Sequence, residues 1–249
     1  MNHLAITQRA LAIAIAACAL LAASPLTASA ALIESPGNLV GIDVSHWQGQ
    51  VHWKSVQAAG VEFAFAKATE GQTFVDGQYA RNHARTGALG IPFSAYHFAR
   101  PDRSYRDAVR EADHFVGTAD LGARNLLPVL DLEVSGNLGP RALIRWTKAW
   151  LARVEARLGV KPMIYTSPSF WRDYVRDTRW FADNGYRVWI AHWDADEPAV
   201  PAANWGGDSW TVWQLSDCGS VPGIGGCVDV DLHRGTDIDR LTLAALRDT

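Results

Sequence analysis

The chain has 249 residues, 48% of them hydrophobic and 20% charged, with a formal net charge of −3. That is enough apolar material for one sizeable core, and the charge offers no basis for holding nucleic acid by bulk electrostatics. Beyond the N-terminal leader, no stretch is apolar enough to span a bilayer. Eleven tryptophans predict a surface with several part-exposed rings, of the kind that lines sugar-binding grooves.

Residues 1–30 read as a signal peptide. Arg9 supplies the positive end, Leu11 to Ala23 the apolar run, and Ala28-Ser29-Ala30 the small-residue cleavage site. A competing box, Ile15-Ala16-Ala17-Cys18, would instead make Cys18 a lipidated N-terminus. The apolar run continues past Cys18 through Leu21, which favours ordinary cleavage and a secreted or periplasmic protein. Cleavage leaves Cys218 and Cys227, an even pair in an exported chain. A disulfide is expected to close that Gly- and Pro-rich loop.

The first strand is predicted over Leu39 to Val44, ending at Asp43. A short helix follows from Trp53 to Ala59, then a second apolar run from Val61 to Ala66 that leads into Lys67 and Glu70. A polar helix is expected from about Gly77 to Ala88, and a third strand from Phe93 to Phe98. Ser104 is positioned to cap an amphipathic helix reaching about Val116. The fourth strand runs from Leu127 to Val134. Pro140 opens a long helix to about Leu158, with Leu143, Trp146, Trp150 and Val154 as its buried stripe and basic residues on its solvated side.

Four more strands are expected. They are Pro162–Thr166, Arg187–Asp194, Trp210–Leu215 and Cys227–Leu232, with a last helix from about Asp237 to Leu246. Strands spaced by helices early and by loops late predict an α/β fold, a single (β/α)8-like parallel barrel with reduced outer helices in its C-terminal part. Residues 31–249 then form one catalytic domain, since no boundary rich in Pro, Gly or Ser divides them. Such barrels collect reactive groups at the C-terminal ends of their strands. Those ends are Asp43, Glu70, Tyr96–His97, Asp131–Glu133, Tyr165, His192–Trp193, Gln214 and Asp229–Asp231.

Asp131 and Glu133 stand two apart, so a strand puts both on one face. Two carboxyls facing each other in an apolar setting cannot both ionise cheaply. That supplies a general acid beside a charge stabiliser, which is what cleaving a glycosidic bond needs.

Several stretches together resemble glycoside hydrolase family 25, the cellosyl-type lysozymes (muramidases). They are Gly41–Gly49, Lys67–Gly71, Tyr96–Pro101, Asp131-Leu132-Glu133, Ile164–Thr166, Trp189–Trp193, Trp213-Gln214 and Val228–Asp231. The resemblance runs from about Val40 to Gly235. It implies hydrolysis of the β-1,4 bond between N-acetylmuramic acid and N-acetylglucosamine in peptidoglycan. Glu133 falls on the family's catalytic acid, Asp131 on its close partner, and Asp43 and Asp229 on two further active-site acids. Asp231 is a second candidate for the place of Asp229. The resemblance favours Asp131 orienting the substrate's own 2-acetamido group as nucleophile; the sequence leaves attack by water with inversion open.

Tyr96, Tyr165, Trp193 and Trp213 are candidates to stack on sugar rings, and His97, His192 and Gln214 to bind sugar polar groups. No cofactor or metal is implied, and nothing in the sequence demands more than a monomer. Two rival readings are a non-catalytic glycan-binding barrel and a metal-dependent hydrolase using His97, His192 and the acids. The second lacks an H-x-H pair or an H-E-x-x-H helix.

Overall fold

The computed structural model describes residues 35–104 and 106–247. The leader, its cleavage site and Cys18 lie outside the described residues. Nine strands form one sheet, and a β1–β2 pairing closes it. The strands are β1 (Asn38–Val44), β2 (Phe63–Glu70), β3 (Phe74–Val75), β4 (Phe93–Phe98), β5 (Val129–Asp131), β6 (Met163–Thr166), β7 (Val188–Ala191), β8 (Val212–Gly219) and β9 (Val228–Arg234). β3 is a two-residue flap folded back on β2, so the other eight make the barrel.

The helices are α1 (Trp53–Ala58), α2 (Tyr79–Leu89), α3 (Asp107–Ala119), α4 (Pro140–Leu158), α5 (Pro168–Val175), α6 (Trp180–Asp183), α7 (Pro201–Trp205) and α8 (Leu243–Arg247). α4 has 19 residues, whereas α6, α7 and α8 have 4 or 5. The outer layer therefore thins toward the C-terminus, as the spacing of apolar runs predicts.

One strand departs from the parallel expectation. β9 runs antiparallel to both β8 and β1. A hairpin, closed by the Cys218–Cys227 disulfide, joins β8 to β9 with no crossover helix. The loop is too short to hold the crossover of a dozen or more residues that a parallel return needs. Asp229 therefore enters the rim from the beginning of its strand, not from the end.

Strand alternation sorts the core into two compartments. Phe63, Phe65, Val129, Met163, Tyr165, Trp189 and Val212 pack together inside the barrel. Ile42, Ala64, Ala66, Ala95, Leu130, Ile164, Val188 and Ile190 face the helices. α4 buries Leu143, Trp146, Trp150 and Val154, and also Thr147 and Leu151. Pro140 at its start and Gly159, at φ 74°, just past its end bound it as expected. On its outer side Arg153 and Arg157 reach Asp113 of α3, at 2.8 and 2.9 Å.

Two local expectations are corrected. Ser104 does not cap α3, which begins at Asp107; there the Asp107 carboxylate accepts from Asp102 N, Gln72 Nε2 and Trp146 Nε1. Those bonds fix the helix start to a loop, to the β2–β3 turn and to α4 at once. Most tryptophans are also buried, not part-exposed: Trp53, Trp146, Trp150, Trp171, Trp189, Trp205 and Trp213 all belong to packed regions. Rings fill the wide gap between a barrel and short helices with few residues.

Gly41 is required by the barrel interior. A Cβ there would lie 2.3 Å from the Phe63 ring on the neighbouring strand. Phe63 is fully buried, so it has nowhere to retreat. Gly41→Ala is expected to lower stability by about 1–3 kcal/mol through overpacking, read as a shift in the urea midpoint without a change in slope.

Candidate active site

A cavity of about 160 Å3 opens at the C-terminal mouth of the parallel strands. Asp43, Ser45, Trp47, Lys67, Tyr96, Phe98, Asp131, Glu133, Tyr165, Trp189, Gln214 and Asp229 line it. Each comes from a strand whose inward residues lead up to the rim, or from the loop just beyond it. β5 is shorter than its apolar run suggests and ends at Asp131. Its backbone still follows β6 one step further, with Leu132 N donating to Tyr165 O at 3.0 Å. That keeps Glu133 on the same side as Asp131, at an accessible position on the mouth.

The carboxyls crowd together. Asp131 and Glu133 interact directly, and burial followed by the charge of Glu133 drives the Asp131 pKa well above the ordinary range. Burial also raises Glu133, against smaller opposing effects of Asp131 and Lys67. The two titrate as a pair, and both hold their protons to higher pH than exposed carboxyls would. Asp43 and Asp229 are direct partners across β1 and β9. Burial, then Asp229 and Asp231, push Asp43 well up, and burial lifts Asp229 to about 6. Asp231 lies one inward position deeper, fully buried, and accepts from Trp189 Nε1 at 2.9 Å. Its pKa is also raised, by burial and then Asp229.

Among the described residues, Lys67 is the one cation lining the cavity. It is held by Glu70 at 2.5 Å and sits over the Phe98 ring, 4.7 Å from its centre. Arg100 grips the other oxygen of Glu70 at 2.6 Å. A register slip between Lys67 and Thr69 makes this possible. It returns Glu70 to the side of Lys67 instead of leaving it to alternate away.

Gln214 organises the opposite wall. Its Oε1 accepts from Tyr165 Oη and Trp193 Nε1, both at 2.8 Å, and its Nε2 donates to Asp43 Oδ2 at 2.7 Å. Burial raises Tyr96 and Tyr165 well above the usual phenol range, so both remain donors.

Of the residues anticipated, the structure brings Asp43, Tyr96, Asp131, Glu133, Tyr165, Gln214 and Asp229 to one cavity. Trp193 joins at the edge through Gln214. Three do not arrive. His97 is fully buried behind β4, since the alternation that turns Tyr96 inward turns His97 outward. Trp213 faces outward for the same reason, packing with Val40, Val230 and Leu232. His192 lies in the loop after β7, its Nδ1 accepting from Ala199 N at 2.9 Å. The histidines of the metal-hydrolase reading are thus held apart from the acids. Sequence reasoning passed over Trp47, Phe98, Trp189 and Ser45. Counting alternate positions from Tyr96 and Ala191 would have found Phe98 and Trp189.

The fold is a closed α/β barrel with paired carboxyl groups at its mouth. The sequence model of glycosyl hydrolases family 25 matches residues 42–224, and the chain belongs to that family. It is 37% identical to "Lysozyme M1" of Streptomyces globisporus over 213 residues, covering 82% of this chain and 70% of that one. It is 35% identical to an "N,O-diacetylmuramidase" of Arthroderma benhamiae, covering 79% of this chain and 85% of the relative. Among solved structures, the bacterial lysozyme from Streptomyces coelicolor superposes with a TM-score of 0.78 at 35% identity, covering 86% of this chain and 100% of that chain. The protein is accordingly a glycoside hydrolase.

Behind the mouth, His97 carries a structural role. Its Nδ1 meets Thr69 Oγ1 and its Nε2 meets Glu111, both at 2.8 Å, and its ring stacks on Trp150. Burial drives His97 well below its ordinary value and lifts Glu111 to about 8. Both partners are therefore neutral at pH 7, with the Glu111 carboxyl donating to the ring. An unfolded chain loses that proton near 4.5. The bond's contribution is full below about pH 4.5 and gone above about pH 8. Stability should thus fall by up to about 1.4 kcal/mol per pH unit in that window from this group alone. Glu111→Gln, whose amide donates at any pH, should remove that part of the slope in urea melts from pH 5 to 9.

Proposed function

We propose that the protein is a lysozyme. It hydrolyses the β-1,4 bond between N-acetylmuramic acid and N-acetylglucosamine in peptidoglycan, with Glu133 as general acid. The observation that carries the residue assignment is the Asp131–Glu133 pair, two interacting carboxyls with raised pKa values at the cavity mouth. Of the two, Glu133 is the accessible one, and it delivers its proton to the leaving glycosidic oxygen. Asp131 is nearly buried, and its Oδ1 has no hydrogen-bond partner. Asp131 nevertheless lines the cavity beside Glu133, which suits it to accept from the substrate's 2-acetamido N–H and to align the acetamido oxygen against the anomeric carbon.

As the leaving group departs, positive charge builds on the sugar ring. Asp131 and the deprotonated Glu133 face it across the cavity mouth. Water then opens the ring formed by the acetamido group, with Glu133 taking its proton. Asp43, paired with Asp229 across β1 and β9, fixes Tyr165 through Gln214. The relatives named above are a lysozyme and an N,O-diacetylmuramidase, which supports a wall glycan as substrate. We further propose that the enzyme acts as an exported monomer, in keeping with its leader. No helix among the described residues is long and apolar enough to cross a membrane.

The test is release of reducing sugar from purified peptidoglycan. Wild type should release muramic acid at the new reducing ends, unaffected by chelator. Glu133→Gln should lose about 10²–10⁴-fold in rate. NMR should show retention at the anomeric carbon. An inverted first product would remove the acetamido step, and undiminished release by Glu133→Gln would remove the assignment of the acid.

A further inference from the structure

The cavity holds about 160 Å3, room for roughly one sugar unit, whereas a glycan strand continues past it. On the flank built by the loops after β1 and β2, three rings stand in a row. Trp47 is 82% exposed and also lines the cavity. Its ring centre is 4.7 Å from that of His46, which is 5.8 Å from Phe74. Phe74 and its neighbour Val75 are themselves 42% and 49% exposed. Phe74 returns to the cavity through Lys67, whose Nζ is 5.5 Å from its ring centre. The apolar surface is thus continuous with the proposed cleavage site.

This ledge is built rather than left over. Ser45 and Gln48 close a reciprocal cap around the single turn that carries Trp47. Buried Asp76 binds both the backbone N–H and the ring Nδ1 of His46, at 2.9 and 2.7 Å. Asp76 N in turn donates to Ala68 O, and β3 pairs with β2. Gln48 also reaches the disulfide hairpin at Cys227 O. A backbone tied down at so many points could have turned the indole inward; it holds the indole out. Rigid exposed rings that continue a groove mark a ligand surface.

We infer that Trp47, with Phe74 and Val75, forms a second sugar subsite, outside the cleavage site, for an N-acetylhexosamine ring of the same glycan strand. The indole takes the C–H face of the pyranose. Phe74 and Val75 take the acetamido methyl. The inference rests on the glycan-cleaving reading of the cavity. A sugar is favoured over the peptide stem because the ledge presents flat apolar faces, while the adjacent charges of Lys67, Glu70 and Arg100 are already spent on one another.

The experiment uses Glu133→Gln protein, titrated by calorimetry with stem-free wall oligosaccharides of two and four sugars. The tetrasaccharide should bind at least about tenfold more tightly than the disaccharide, the scale of one added ring contact. Trp47→Ala in that background should cut this ratio about tenfold, Trp47→Tyr should restore most of it, and Phe74→Ala should lower it less. An unchanged ratio in Trp47→Ala, or no preference for the longer sugar in the parent, overturns the subsite. A loss seen only with stem-bearing glycans assigns the ledge to peptide and also overturns it. Failure of the lysozyme reading is separate: wild type would then release no reducing ends, whatever the ratio.

Discussion

The constraint on which the site depends is a shortage of positive charge. Asp43, Asp131, Asp229 and Asp231 turn into the barrel with Glu133 above them, and among the described residues Lys67 is the one cation that joins them. Lys67 is itself shared with Glu70. Burial makes each additional negative charge costly, so the cluster retains protons that exposed carboxyls would lose. An acid that still holds its proton near neutrality is what cleavage of an acetal bond requires. The neutral parts of the wall follow from this. Gln214, Trp189, Tyr96 and Tyr165 stabilise carboxyls by donating hydrogen bonds or by filling space, without adding charge.

The same crowding explains why the barrel is reinforced where it is. The strand that leads to the Asp131–Glu133 pair is short, β5 having only three residues. Rigidity comes from outside. α3 and α4 brace β2 and β4 through Trp150 and the Thr69–His97–Glu111 chain, and Trp146 on Asp107 ties the two helices to each other. A buried chain of hydrogen bonds packed under aromatic rings holds its members to one geometry. Here it does so one layer behind the chemistry, where it meets no substrate.

Much of this was legible in the sequence. Apolar runs ending in acids or aromatics gave the barrel and its active rim. The Asp131-x-Glu133 spacing gave the paired acids. The errors were of two physical kinds. His97 and Trp213 were grouped with Tyr96 and Gln214 because they are adjacent, although a period of two places neighbours on opposite faces. Strand direction was invisible as well, since the pattern of inward and outward residues reads the same both ways. Only the length of the cysteine loop hints that β9 must turn back. Trp47 was missed because nothing in a tryptophan's sequence context distinguishes a ring held out from one packed in. The turn that carries it is anchored by Asp76 through the neighbouring His46, thirty positions from Asp76 in the chain.

The reversed last strand also decides where the polypeptide enters and leaves. β1 starts at the base of the barrel, where Asn38 pairs with Arg234 at the end of β9. The chain then runs on under the base, where Thr242 bridges to Leu126 just before β5. Had β9 been parallel, the chain would have finished at the mouth, beside the acids. Instead, both ends of the described chain emerge on the face away from the cavity. A module or solid support tethered to either one hangs from the underside and leaves the approach of a long polysaccharide unobstructed.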